Sequence, residues 1–161
     1  MAASKNKKSN EDPVLARNRK ARHEFEILEE VEAGLELVGS EVKSLRNRHI
    51  TFQDAYAEFR GDQLYLKGVT IAEYAQANQF NHVPSRPRRL LLQRGELDRW
   101  RGKVEQQGLT IVPLDIHVTG RWIKCTLALV RGMKDYDKRH ALREKQVKRE
   151  TERVVKRGQY D

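Results

Sequence analysis

At 161 residues, with a formal net charge of +9 and 38% hydrophobic against 34% charged side chains, the chain has material for one modest core and none for two. It contains no apolar run of the roughly 18 residues that a membrane-spanning helix needs, and Met1 to Lys8 leads into polar sequence, so a cytoplasmic protein without a secretory leader is predicted. A single cysteine, Cys125, excludes an internal disulfide and argues against a cysteine-based metal site.

The charge is unevenly spread. Residues 1–23 hold 7 basic and 2 acidic groups and residues 132–161 hold 10 and 6, which leaves the body balanced at 15 of each sign. Cationic ends on a neutral body suit a polyanion, because mobile Lys and Arg side chains displace counterions from a phosphate backbone.

Residues 1–17 lack any apolar period and predict a mobile basic arm. From Phe25 the pattern becomes a period of two. Phe25, Ile27, Val31, Ala33, Leu35 and Leu37 share one parity, and Glu24, Glu26, Glu30, Glu32 and Glu36 the other. This predicts a long half-buried strand bent near Gly34, with a bulge to explain Glu29 on the inner parity. Ser40 is placed to cap a short helix over Glu41–Arg46. Ala55–Phe59 and Gln63–Lys67 flank Arg60-Gly61-Asp62 and predict a hairpin; Gln76–Pro87 reads as a long loop and Arg88–Leu92 as a short apolar element. Leu97, Trp100 and Val104 predict a helix over Gly95–Gln107 that stops at Gly108.

Two alternating strands follow, Thr110–Val118 and Arg121–Val130. Val112, Leu114, Ile116 and Val118 are expected to face inward on one, and Ile123, Cys125, Leu127 and Leu129 on the other. Hairpin-linked strands without a βαβ rhythm predict a mainly β fold: a closed or partly open β-barrel of the OB type over 18–131, with two short helices. The segment 132–161 has few aliphatic residues but good helix formers and i, i+4 pairs such as Glu144 with Lys148, so a basic tail is expected, disordered when free and helical when bound.

No catalytic motif is visible, and the five histidines lie too far apart for a zinc motif. The glutamate row reads as a solvated strand face rather than a Mg²⁺ site. A protein that is no enzyme, with no metal, cofactor or small-molecule substrate, is therefore expected. RNA binding asks instead for cations and planar groups arranged on a β-surface. Asn18, Arg19, Lys20, Arg22 and His23 stand before the first long strand, Arg88 and Arg89 cluster with Arg86 ahead of the apolar triplet, and Lys124 lies on the outward parity beside Trp122. Tyr136 offers a ring among Lys134, Asp135, Asp137, Lys138 and Arg139.

In order and spacing, Asn18-Arg19-Lys20-Ala21-Arg22-His23-Glu24-Phe25, Glu32-Ala33-Gly34-Leu35 with Glu41-Val42-Lys43-Ser44-Leu45-Arg46, Arg88-Arg89-Leu90-Leu91-Leu92, Gly108 to Leu114, and Gly132 through Asp137-Lys138-Arg139 resemble the small protein B family. The resemblance runs from about Leu15 to the end. It implies an OB-fold barrel that binds the tRNA-like domain of transfer-messenger RNA. It also implies a tail that becomes a helix in the decoding centre and mRNA path of a stalled ribosome's small subunit. Carried over by position, Asn18, His23, Glu32, Leu91 and Lys124 belong to the RNA-binding surface, with Leu91 open to a core position as well. Asp137, Lys138 and Arg139 belong to the ribosome-engaging tail, beside Lys134 and Tyr136. The chain departs from the family in reading Gly132-Met133-Lys134 where Gly-Lys-Lys is common, which removes one cation, and in reading Gly39-Ser40 ahead of Glu41. The alternative on composition alone is a structural ribosomal protein with a basic tail.

Overall fold

The computed structural model describes residues 13–132 and 135–157. Among these residues seven strands form one sheet: β1 (Val14–Arg17), β2 (Phe25–Leu35), β3 (Ile50–Arg60), β4 (Gln63–Ile71), β5 (Arg88–Leu91), β6 (Thr110–Thr119) and β7 (Trp122–Gly132). Neighbours run β1-β6-β3-β4-β5-β2-β7, and a further β6–β7 pairing closes six of them into an antiparallel barrel with β1 attached outside the ring at β6. The expected closed barrel is present. Its ring has one strand more than the five-stranded OB type because Arg88–Leu91, legible only as a short apolar element, pairs on both sides as β5.

Among the described residues four helices accompany the barrel: α1 (Arg19–Glu24), α2 (Gly39–Arg46), α3 (Arg94–Gln107) and α4 (Asp135–Arg157), with a short 3-10 segment at Ala75–Phe80 where the expected loop begins. Ser40 does not cap α2. Val38 holds that position without a side-chain bond, and the Ser40 hydroxyl instead meets His82 Nδ1 at 2.8 Å.

The strands hold two apolar clusters apart. Leu64, Leu66, Ile71, Leu90, Ile111, Ile116, Cys125, Leu127 and Leu129 fill the barrel, joined by Leu97 and Trp100 of α3. Each fully buried leucine contributes about 1.5–3 kcal/mol. Ala21 of α1 covers a smaller cluster on the outer wall, made of Val112, Leu114, Ala128 and Val130 with Phe25 and Ile27 against it. Irregularities in two strands explain the division. A register shift between Ile27 and Glu29 inverts the parity of β2, so Val31, Ala33 and Leu35 point into the barrel while Phe25 and Ile27 point out. The same happens in β6 between Pro113 and Asp115. Val112 and Leu114, expected to face in with Ile116 and Val118, lie under α1 instead.

The bulge foreseen at Glu29 has a purpose in packing. Glu29 stays on the inner parity and receives a hydrogen bond from Trp100 Nε1 at 3.2 Å, while Lys103 of α3 pairs with its other oxygen. β3 has a third irregularity between Phe52 and Tyr56. There its backbone crowds β4 so closely that a Cβ on Gly68, which has φ +73°, would lie 2.7 Å from Gln53 O and 2.9 Å from Ala55 Cα; only glycine fits.

β1 corrects the expected arm at its C-terminal end. Val14 to Arg17 pair with β6, and Val118 N and Asn18 N extend the contact through bonds to Pro13 O and Leu114 O at 3.1 and 2.8 Å. Residues 1–12 of the arm lie outside the described residues. Cys125 is fully buried in the barrel, and burial pushes its thiol pKa up strongly, with Asp115 adding to the effect.

Candidate nucleic-acid interface

The outer faces of β5, β2, β7, β6 and β1 form one continuous strip. Register places its residues: Gly34 of β2 stands opposite both Leu91 of β5 and Lys124 of β7, Lys124 is opposite His117 of β6, and His117 is opposite Val14 of β1. Glu32, Leu91 and Lys124, far apart in sequence, are therefore brought together. Because residue 34 has no side chain, a groove opens between Leu91 and Lys124, lined also by Trp122 and Arg121 and enclosing about 630 Å³. A Cβ at position 34 would sit 3.2 Å from Leu91 Cβ. Leu91 is 46% exposed and Trp122 73%, so Leu91, open to core or surface in the sequence, is a surface residue.

Next to this groove, a network of polar side chains fixes the middle of the strip. Lys124 Nζ lies 2.6 Å from Glu32 Oε1, His117 Nε2 2.9 Å from Glu32 Oε2, His117 Nδ1 2.8 Å from Asp115 Oδ1, and the Thr126 hydroxyl donates to that Asp115 oxygen at 2.9 Å. Both imidazole nitrogens face carboxylates, which only accept, so both must donate and the ring is held as imidazolium. Burial opposes that charge more than any single contact favours it, but the bonds to Asp115 and Glu32 together outweigh burial and raise the His117 pKa above its ordinary value. The Lys124 hydrogen bond, and after it that of His117, holds the Glu32 carboxyl below its ordinary value against partial burial. Two cations on two carboxylates make the network neutral.

The net charge comes from its rim. An open groove of about 830 Å³ beside β1 is lined by Arg17, Arg19 and Arg48 together with Glu32, Asp115 and His117. All three arginines are exposed, and none is ion-paired among the described residues. They contrast with the cations that stood out in the sequence. Lys20 lies 2.8 Å from Asp54, Arg22 3.6 Å from Glu30, and Arg89, which shares the outward parity of Leu91, 2.6 Å from Glu36. These remain surface groups but arrive with partners. His23 is exposed at the end of α1.

Asn18 has a structural task. Its Oδ1 accepts from Ala21 N at 3.4 Å as the N-cap of α1, and its Nδ2 donates to Pro113 O at 2.9 Å, which clamps α1 onto β6 and aims Arg19 at the groove.

Arg88 requires a correction. Expected on the RNA-binding surface, it is wholly buried and points into the barrel wall, where Glu41 takes its Nε at 2.8 Å and the carbonyls of Val69, Arg86 and Pro84 take its other donors at 2.9 to 3.0 Å. Burial lowers its pKa, an effect the bond to Glu41 partly offsets. No phosphate reaches it. Alternation in β5 sends Arg88 and Leu90 inward and Arg89 and Leu91 outward. Arg17 and Arg48 were missed because β1 and the left-handed turn at Arg48, φ 60°, leave no periodic trace.

In the tail, α4 is a continuous helix of 23 residues, the form expected on RNA. Tyr136, Asp137, Lys138 and Arg139 fall in its first turns; Arg139 is exposed, the side chains of the other three are outside the described residues, and so is Lys134 altogether. Leu142, Val147, Val154 and Val155 are all more than half exposed, so α4 presents apolar as well as basic groups to a partner.

A family model described as "SmpB protein" matches residues 15–157. An SsrA-binding protein of Kineococcus radiotolerans is 49% identical over 142 residues, which span 88% of this chain and 91% of the relative. An SsrA-binding protein of an Anaeromyxobacter species is 48% identical over 146 residues, spanning 91% and 88%. Among solved structures, a chain from one described as "tmRNA-SmpB: a journey to the center of the bacterial ribosome" aligns with a TM-score of 0.63 and 48% identity, covering 74% of this chain and 85% of that one.

Proposed function

The chain belongs to the SmpB protein family, and from that premise we propose that it is an RNA-binding adaptor of trans-translation, holding the tRNA-like domain of transfer-messenger RNA and accompanying it to stalled ribosomes. The observation that carries the reading is the strip itself: an outer barrel face left uncovered from β1 to β5, with a neutral hydrogen-bonded centre, an apolar groove at one end and three unpaired arginines at the other.

Each part matches a need of folded RNA. Arg17, Arg19 and Arg48 meet phosphates, and the immobilised Glu32–Lys124 pair offers acceptors and donors to sugars and base edges without reorganising. Trp122 and Leu91 give a planar and apolar contact at the groove. The protein contributes shape and charge rather than bond-making chemistry. Its basic α4, with Asp137, Lys138 and Arg139 near the start, occupies the empty decoding centre and mRNA path of the small subunit, becoming fully ordered there. Such an adaptor works in the cytoplasm; among the described residues no helix is long and apolar enough to cross a membrane.

Replacing Arg17, Arg19 and Arg48 together by alanine tests the reading. Affinity for a transcript of the tRNA-like domain should fall at least tenfold, and the slope of log affinity against log salt should flatten by roughly 2 to 3, since each lost phosphate contact removes about 0.7–0.9. Titration by fluorescence anisotropy at several salt concentrations reads both. An unchanged slope, or equal affinity of the unaltered protein for an arbitrary transcript of the same length, would refute it.

A further inference from the structure

A groove of about 700 Å³ lies on the other side of α2, between that helix and the Ala75–Phe80 segment, and shares none of its lining residues with the strip. Phe80 at its edge is 80% exposed, an unusual position for a phenylalanine in a protein whose other phenylalanines are half-buried. Its exposure does not come from a loose loop. The Asn81 side chain accepts from Tyr74 N at 2.8 Å and donates to Tyr74 O at 2.9 Å, so the two ends of the segment that brings Tyr74 and Phe80 to the groove are tied together. The floor is equally fixed: His82 bridges the Ser40 hydroxyl and Ile71 O, each at 2.8 Å.

The groove is electropositive. Lys43 Nζ stands 5.4 Å from the centroid of the Tyr74 ring, and Arg86 shares the single buried carboxylate of Glu41 with Arg88, which leaves one positive charge uncompensated. No carboxylate lines the groove among the described residues. Aromatic rings beside a net positive charge are the elements of a site for unpaired nucleotides, where bases stack and phosphates meet charge. The volume is within the ~300–1,000 Å³ usual for a small-molecule subsite.

We propose that this groove is a second RNA-contact surface, which takes an unpaired nucleotide with its base stacked on Phe80 and its phosphate against Lys43 and Arg86. It reaches beyond the function above because it recognises single-stranded RNA on a face separate from the strip that meets a folded, tRNA-shaped ligand. A segment whose ends are tied, and an Arg86 already fixed on Glu41, spare the complex part of its ordering entropy.

The test uses the full chain with a labelled single-stranded RNA of about eight nucleotides, and a hairpin of equal charge, at about 0.2 M salt to suppress contacts made through phosphate alone. Phe80→Ala should lower affinity for the single strand about tenfold, Phe80→Tyr should restore it, and neither should change binding of the hairpin. Ultraviolet crosslinking followed by mass spectrometry should place the adduct within residues 74–80. The arginine triple variant of the strip should leave the Phe80 effect intact, which separates failure of this proposal from failure of the previous one. Unchanged affinity in Phe80→Ala, or crosslinks confined to the strip and the termini, would overturn it. So would loss of ribosome binding with the bare strand unaffected, since the surface would then meet protein.

Discussion

Arg88 and Arg89 are adjacent in sequence with identical chemistry, and the pleat of β5 gives them opposite environments. Arg88 is locked by Glu41 in a site from which water is excluded, whereas Arg89 reaches Glu36 at the surface. Removing one partner of a buried pair leaves the other charge uncompensated, so Glu41→Gln should destabilise the fold by about 3–5 kcal/mol. Chemical denaturation checks this, with Glu36→Gln as a control expected to lie within about 1 kcal/mol of the unaltered protein. The cluster of arginines was visible in the sequence, but which of them faces water depends on the parity of one short strand that also pairs on both sides. His117 makes a pH-dependent contribution. Its folded pKa is raised above the ordinary 6.5, so its stabilisation is fully present below that value and is lost as pH rises through the folded one. Glu32 has the opposite sign: held below its ordinary 4.5, its contribution is lost as pH falls through the folded value. The gap in melting temperature between the unaltered protein and His117→Gln should therefore be widest below the ordinary 6.5 and shrink as pH rises above it through the folded value. A gap that grows with pH would contradict the imidazolium.

At the scale of elements, the long alternating strands were legible because one face is apolar and the other is not. β2, the β3–β4 hairpin, α3 and the β6–β7 hairpin all follow from period. The parity of β6 did not follow: the irregularity at Leu114 has one sign in the sequence, Pro113 without an N–H for the ladder, which leaves the alternation unbroken, and the apolar residues on both sides are equally buried, in different clusters. β1 was read as part of an arm, and α1 went unread as a helix, for a related reason: four and six residues are too short to show a period, and what orders them is bonding to β6 rather than their own composition. Of the rim's arginines, Arg17 went unread with β1 and Arg48 with its turn, while Arg19 stood among the expected contacts. Asn18 is the joint between these two short elements. Asn18→Ala removes a helix cap and the bond to Pro113 O, and should cost about 1–2 kcal/mol of stability, measured as a shift of the denaturation midpoint. Arg19→Ala, one residue further on, should leave stability unchanged and weaken only RNA binding, so the pair separates scaffold from contact.

For the whole molecule, the closed ring and the basic helix beyond it divide the work. Among the described residues, the barrel's apolar clusters contain none from α4, so the ring keeps its core without the tail. Deleting residues 132–161 should leave the melting temperature within about 2 °C and binding to the tRNA-like domain largely intact, while tagging of stalled peptides is lost. Equal loss of both activities would mean that the tail and the barrel act as one surface. The enclosed position of Cys125 gives this ring an internal clock. It is the chain's one thiol, has no exposed surface and is disfavoured as thiolate where it lies, so an alkylating reagent reaches it only when β7 parts from its neighbours. The rate at which the native protein consumes such a reagent then counts how often the barrel opens, without any added label. Any RNA that grips the strip across β2, β7 and β6 should slow that count in proportion to how firmly it holds the strands shut.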